Sequence, residues 1–252
     1  MRWLALALLA LAPLLAWPAE AARVVSLNLC ADDFLLLLAP EQAVGVSRLA
    51  ADPTLSVVAA AARAVPAVRA DAEDVLNRHP DLVLAGPFGA QTTLALLERR
   101  GLSVERLPLA RDFAAIRAVT RQAAAALGVP ERGEALLARM QARLDAVAPR
   151  PGPRAVFLQP RGYVAGPGTL ADAVLHAAGL TNAGVGGTPG LEWLATHPPD
   201  LLVVEDAPRF PSLATDLLRH PALAGIPRLE VAPALLACGG PWTARAVTAL
   251  AR

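Results

Sequence analysis

The sequence predicts an α/β fold of two similar lobes with parallel sheets, joined by a long rigid helix, with a ligand cleft between the lobes. Three observations carry that expectation. Glu73, Pro80, Asp81 and Leu82 recur as Glu192, Pro199, Asp200 and Leu201 at a constant offset of 119 residues. Each copy reads as a short helix, a proline break and an apolar strand, and a unit used twice marks two related lobes rather than one continuous sheet. Strands and helices alternate on both sides of the chain's middle, the pattern of parallel sheets covered by helices. Between the two halves, residues 131–147 read as one helix of about 17 residues, roughly 26 Å long, closed by Pro149-Arg150-Pro151-Gly152-Pro153.

Residues 1–21 read as a signal peptide, not as fold. Arg2 supplies a positive start, an apolar run follows to Trp17, and Ala19-Glu20-Ala21 offers the small residues that a signal peptidase cleaves. A membrane span needs roughly 20 apolar residues; this run is shorter and is broken by Pro13. Leu29, just before Cys30, is not the small residue that precedes a lipid-attachment cysteine. The mature chain is therefore expected to be free in an export compartment, a bacterial periplasm.

The N-terminal lobe is expected over 22–111. Residues 23–27 form a strand, a turn at 28–32 leads into an apolar helix through Leu38, and Pro40 ends it. Strands at 44–47, 82–85 and 103–107 alternate with helices at 72–78 and 91–100, the latter closed by Gly101 as a left-handed cap. The helical connector is expected over 112–149, with Asp112 capping a helix through Leu127 and Pro130 opening the long one. The C-terminal lobe, 150–252, begins with a strand at 155–158. Helices at 170–178 and 212–219, a strand at 229–231 and a last helix at 242–250 accompany the repeated unit.

Composition removes several function classes. The chain has 23 basic and 22 acidic residues, a formal net charge of +1, and nucleic-acid binding usually demands a clear basic excess. All the basic residues are arginine, which fits a GC-rich genome better than a selected surface. No Gly-x-Ser-x-Gly elbow, phosphate loop ending in Gly-Lys or His-Glu-x-x-His occurs. His79, His197 and His220 each precede proline, a placement that suits helix ends, and His176 lies mid-helix with no Cys at ligand spacing. Asp32 and Asp33 are adjacent at a helix start, so they point in different directions and complement the helix dipole rather than a cation. No catalytic residue and no metal ligand stands out, and the chain does not read as an enzyme.

The loops at strand ends, where open α/β sheets bind ligands, are richer. They carry Phe88, Tyr163, Phe210 and Trp242, half of the mature chain's eight aromatics, beside Arg48, Arg69, Arg161 and Arg209. Aromatic faces with guanidinium groups suit a large, partly planar, polar or anionic ligand. Any one of these side chains could instead belong to a lobe core or rim. Cys30 and Cys238 lie near opposite ends of the chain; they either pair as a disulfide or remain two thiols able to touch a soft metal.

The order and spacing of Arg23-Val24-Val25-Ser26-Leu27-Asn28, Val44-Gly45-Val46-Ser47, Pro80-Asp81-Leu82-Val83 and Ala155-Val156-Phe157-Leu158-Gln159 with its Gly-rich sequel resemble a known family. It is that of the periplasmic solute-binding proteins serving cobalamin and iron-siderophore ABC importers, whose lobes are joined by a helical backbone. The resemblance spans the mature chain from Arg23 to the final helix. It implies a monomer that captures one metal chelate, a ferric siderophore or a corrinoid, without chemistry or a cofactor of its own, and delivers it to an inner-membrane permease. The family's cleft positions correspond to the loops holding Ala50, Arg69, Phe88, Tyr163, Gly190 and Trp242, with Arg161 beside Tyr163. Leu49-Ala50 and Val68-Arg69 lack the aromatics that cobalamin binders place there, which favours a siderophore or another chelate over a corrin. The resemblance also implies that Glu73 and Glu192, one per lobe, meet arginines of the permease. A sensor that kept the fold and gave up transport is the alternative reading, and a periplasmic enzyme a weaker one.

Overall fold

A computed structural model describes residues 22–148, 152–206 and 216–251. The expected signal peptide and the loop positions Arg209 and Phe210 lie outside the described residues.

In the first half, β1 (Val24–Ser26), α1 (Leu29–Leu38), β2 (Ala43–Ser47), α2 (Ala59–Ala62), β3 (Ala67–Val68), α3 (Ala72–Leu76), β4 (Leu82–Ala85), α4 (Gln91–Arg99) and β5 (Ser103–Arg106) follow in turn. The strands form an all-parallel sheet of order β3-β2-β1-β4-β5. Two connector helices come next, α5 (Phe113–Ala126) and α6 (Pro130–Asp145). The second half holds β6 (Arg154–Gln159), β7 (Tyr163–Val164), α7 (Leu170–Ala177), β8 (Thr181–Asn182), α8 (Leu191–Thr196), β9 (Leu201–Glu205), β10 (Arg228–Val231) and α9 (Ala244–Leu250). Its sheet runs β10-β9-β6-β7 with β8 paired to β6.

The internal repeat has a physical cause. Asp81 follows Pro80 at the entry to β4, and its carboxylate accepts a hydrogen bond from the Arg23 backbone N at 2.8 Å, while its own N–H donates to the Arg23 carbonyl. Asp200 does the same for Arg154 at 2.8 Å, with its N–H on the Arg154 carbonyl. In each half the Asp clamps the first strand to the strand that follows the repeated helix. The register then runs on, with Val24 opposite Leu82 and Ala155 opposite Leu201. Proline before the Asp stops the helix, and the Asp supplies the donor-free pair of oxygens that a strand's leading N–H needs.

Alternation along the strands sorts the side chains into layers. In β6 and β9, Ala155, Phe157, Leu201 and Val203 face one core, and Val156, Leu158, Leu202 and Val204 face another with Leu194. In the first sheet, Val25, Val83 and Ala85 pack outward on Leu94 and Leu97. The inner faces of both sheets share one continuous core with α1, α5, α6, α7 and α9. That continuity qualifies the expected spacer. The connector is a packed pair of helices, and α6 is held between α5 on one side and the Pro241–Thr243 turn and α9 on the other. A Cβ on Gly133 would stand 2.6 Å from that of Ala124, so α5 and α6 pack too closely for a side chain there.

Several elements depart from expectation. β3, β7 and β8 are two-residue strands, too short to leave a periodic signal. β7 runs antiparallel to β6, so the second sheet is not wholly parallel. Within the expected helix at 212–219, residues 212–215 lie outside the described residues and Asp216–Arg219 is a 3-10 turn. The last helix begins only at Ala244, after a 3-10 turn at Pro241–Thr243. Pro241 offers no N–H, and the Gly240 N–H is met by the Thr243 hydroxyl at 3.3 Å, which closes a tight turn before regular helix starts.

Candidate functional site

The strand ends of the two sheets are brought to one side of the molecule by a covalent link. Cys30, just beyond β1, is bonded to Cys238, which follows β10, with a Cα–Cα distance of 5.3 Å. The next residue, Gly239, is so close to the loop after β5 that a Cβ would come within 2.4 Å of the Ala110 carbonyl oxygen. The two cysteines are therefore a disulfide rather than a pair of soft-metal thiols. Among the described residues no cluster of three or more His, Cys, Asp or Glu side chains could hold a metal ion.

The loops at these strand ends expose apolar surface. The exposed large hydrophobics among the described residues are Leu37, Leu49, Phe88, Leu109, Tyr163 and Val185. All but Leu37 belong to strand-end loops: Leu49 after β2, Phe88 after β4, Leu109 after β5, Tyr163 at the end of β6 and Val185 after β8. Phe88 is 74% exposed and Tyr163 40%. Burying a side chain of this size is ordinarily worth about 1.5–3 kcal/mol, and five of these six exposed side chains stand at strand ends. Tyr163, Gln159, Thr169 and Leu236 line a small concavity at the second lobe's strand ends, and Gln159 is held by Glu205 at 2.8 Å.

The predicted arginines divide. Arg48 is exposed and makes no ion pair among the described residues. Arg69 is exposed as well, but its guanidinium lies 3.0 Å from Asp71 and 3.8 Å from Asp74, so part of its charge is answered within its own lobe. Arg161 is exposed and sits at φ 63°, ψ 20°. That left-handed conformation costs a non-glycine residue roughly 1–2 kcal/mol; it places Arg161 on the rim beside Tyr163. The Gly-rich segment after β8 serves packing: a Cβ on Gly166 would meet Gly186 N at 2.7 Å, and Val164 N donates to the Gly187 carbonyl at 2.7 Å.

Trp242 corrects the expectation. Its indole is 6% exposed and its ring centroid lies 5.2 Å from that of Phe34, tilted by 57°. It belongs to the core between α1 and α6, not to the strand-end face. The Gly240-Pro241 turn directs the ring inward, with Gly240 lying flat against it. The sequence could not distinguish this from a loop aromatic because the turn precedes the helix rather than ending it.

Asp32 and Asp33 are a second correction, for both are buried rather than solvated at a helix end. Asp32 accepts from the Ser47 backbone N at 3.0 Å and from the Ser47 hydroxyl, pinning the end of β2 to the start of α1. Asp33 accepts from the Ser56 hydroxyl at 2.8 Å, and its Oδ2 has no hydrogen-bond partner. Burial raises the Asp32 pKa to about 6 against its hydrogen bonds. Burial, helped by the neighbouring Asp32 charge, raises that of Asp33 to about 7. The folded chain thus binds these protons more tightly than the unfolded chain, so their contribution to stability is complete below about pH 4 and is lost as pH rises through the folded values. Thermal stability should fall between pH 5 and pH 8. Asp33→Asn keeps the acceptor for Ser56 and removes the buried charge, so it should flatten that fall and raise the pH 8 midpoint by several degrees. Parallel pH profiles for the two proteins in thermal melts would rule out this linkage.

Glu73 and Glu192 are both exposed, each the second residue of its helix, α3 and α8. Neither makes an ion pair among the described residues. The neighbouring Asp74 instead binds Arg78 and Arg69 within the lobe, and its counterpart Trp193 stacks on His197 at 5.4 Å.

Two α/β sheets are joined by a helical pair and by a disulfide that links the segments after β1 and β10, and large apolar side chains stand exposed at their strand ends. Residues 24–229 match the family model for periplasmic binding proteins, and the chain belongs to that family. It is similar to the periplasmic heme-binding protein RhuT from Roseiflexus sp. RS-1 in its apo form, at 27% identity over 92% of this chain and 98% of that one, with a TM-score of 0.72. It is similar to the periplasmic heme-binding protein BhuT in complex with two hemes, at 27% identity over 92% and 97%, TM-score 0.74. A periplasmic heme-binding protein from Pseudomonas aeruginosa is 29% identical over 91% of both chains, TM-score 0.70. No curated protein sequence matches the chain.

Proposed function

We propose that the mature chain is the periplasmic capture component of an ABC importer and that its cargo is a metal chelate of the heme class, with a ferric siderophore next and a corrinoid last. The observation that carries this reading is that Leu49, Phe88, Leu109, Tyr163 and Val185 stand exposed at strand ends, where Arg48, Arg69 and Arg161 also lie in the chain. Apolar faces would cover a broad ring, and guanidinium groups would meet carboxylates on its edge. The solved structures similar to this chain at 27–29% identity are heme-binding proteins, which supports heme over the other chelates. Tyr163, the chain's one tyrosine, offers an exposed phenol that could donate an oxygen to a ferric centre. Delivery would use the exposed Glu73 and Glu192, which are placed alike on the two lobes to orient docking on a permease.

Titration of the exported protein with hemin, a ferric hydroxamate siderophore and cyanocobalamin, read by absorbance, tests the cargo. Hemin should bind saturably and most tightly. Phe88→Ala and Tyr163→Ala should each weaken it several-fold, from an aromatic contact worth about 0.5–1.5 kcal/mol beyond burial, while leaving thermal stability nearly unchanged because both side chains are exposed. Glu73→Ala with Glu192→Ala should leave chelate affinity intact and reduce uptake through the cognate permease. Saturable binding of none of the three ligands would remove the chelate reading, and unchanged uptake would remove the docking role.

A further inference from the structure

A second concavity lies away from the strand ends, between α1, α6 and the start of α9, with a volume of about 520 Å³. None of the strand-end residues lines it. Its floor includes Leu37, Val57 and Trp242, and Leu37, on α1, is the one exposed large hydrophobic among the described residues that the strand-end face does not account for. Its rim carries Arg139, Arg143 and Arg245, and no Asp or Glu lines it.

Arg143 lies in the last turn of α6, where the helix dipole favours a cation, but two other local effects oppose this cluster. Arg139 and Arg143 stand one turn apart on the same face of α6, where like charges repel. Arg245 lies in the first turn of α9, the helix end that disfavours a cation. Within the described residues none of the three makes an ion pair or a side-chain hydrogen bond. Elsewhere on the same helix Arg132 pairs with Glu41, and Glu134 with Arg121. In a chain with almost balanced charge, three guanidinium groups without an ion pair among the described residues give one apolar groove a wholly cationic rim. The volume falls within the range of small-molecule pockets, roughly 300–1,000 Å³, and a guanidinium fork matches carboxylate and phosphate geometry.

We infer that this groove binds an amphiphilic anion, with an apolar chain along Leu37, Val57 and Trp242 and an acidic head on Arg139, Arg143 and Arg245. A free fatty carboxylate and one chain of an anionic membrane lipid share this chemistry. The site is separate from the proposed chelate cleft, so it stands or falls independently of that reading.

The mature full-length protein is titrated with dodecanoate below its micellar concentration, by calorimetry and by the fluorescence of Trp242, with dodecyltrimethylammonium as the charge-reversed control. In parallel it is sedimented with phosphatidylcholine vesicles, with and without phosphatidylglycerol. The expected result is saturable one-to-one binding of dodecanoate, none of the cation, and a loss of about ten-fold or more in Arg139→Glu with Arg143→Glu. Both substitutions are at exposed positions, and an unaltered melting midpoint verifies the fold; Leu37→Asp attacks the floor independently and should weaken binding as well. Arginine-dependent sedimentation with the phosphatidylglycerol vesicles assigns the lipid source, and dodecanoate binding without it assigns the free acid. The site is refuted if neither probe binds in an arginine-dependent manner, or if the cation binds as well as the acid.

Discussion

Replacing Cys30 and Cys238 together by serine should lower the stability of the mature protein by about 5 kcal/mol. The bond closes a loop between residues 208 positions apart, and the chain-entropy account of so long a loop gives about that figure at 25 °C. The effect is large because the bridge spans almost the whole mature chain: it anchors the first turn of α1 to the segment that leads into α9, and it holds the strand ends of the two sheets on one side. Urea unfolding with and without a reductant, beside the double-serine variant, measures it. The reduced wild type and the variant should share a lowered midpoint, and the oxidised wild type should stand well above both. A variant with the wild-type midpoint would show that the shared core alone holds the two halves together. Export material that titrates as two free thiols when unfolded without reductant would contradict the bond itself.

The second large effect is expected at Trp242. Trp242→Ala removes a ring buried against Phe34 and Gly240, and deletions of buried aromatics of this kind cost about 3–5 kcal/mol through lost burial and the cavity left behind. Chelate affinity, by contrast, should change little when measured at a temperature where the variant remains folded. Phe88→Ala should show the reverse, with affinity lost and stability kept. The pair separates core from cleft with one assay of each kind. If Trp242→Ala proved stable but weak in chelate binding, the ring would belong to the cargo site after all. The apolar floor of the groove beside α6 would lose one wall in the same variant, so dodecanoate binding should fall with stability while chelate binding does not.

The amino-acid sequence by itself determined the two-lobe architecture, and it did so through local signals. Pro80-Asp81 and Pro199-Asp200 end a helix and open a strand by rules that act over a few residues, and the carboxylate that clamps Arg23 has a counterpart clamping Arg154. The strand-end position of Phe88 and Tyr163, and with it their exposure, was legible because a strand end is a place that the order of elements defines. Glu73 and Glu192 were legible as a pair because the repeat carries them. Only the tertiary structure decided matters that depend on which distant segments meet. Cys30 and Cys238 could be judged only when the turn after β10 was seen against Ala110. Trp242 stands in a loop of aromatic and small residues that reads like a cleft loop, yet Gly240 turns it onto Phe34, far away in the chain. Asp32 and Asp33 read as helix-start charges, and burial in the core, against the hydrogen bonds from Ser47 and Ser56, turned them into weaker acids. Arg139, Arg143 and Arg245 meet around one groove because α6 and α9 pack together. The division follows from the range of the forces: turn chemistry and backbone hydrogen bonds are written in neighbouring residues, whereas burial and desolvation depend on contacts between residues far apart in the chain.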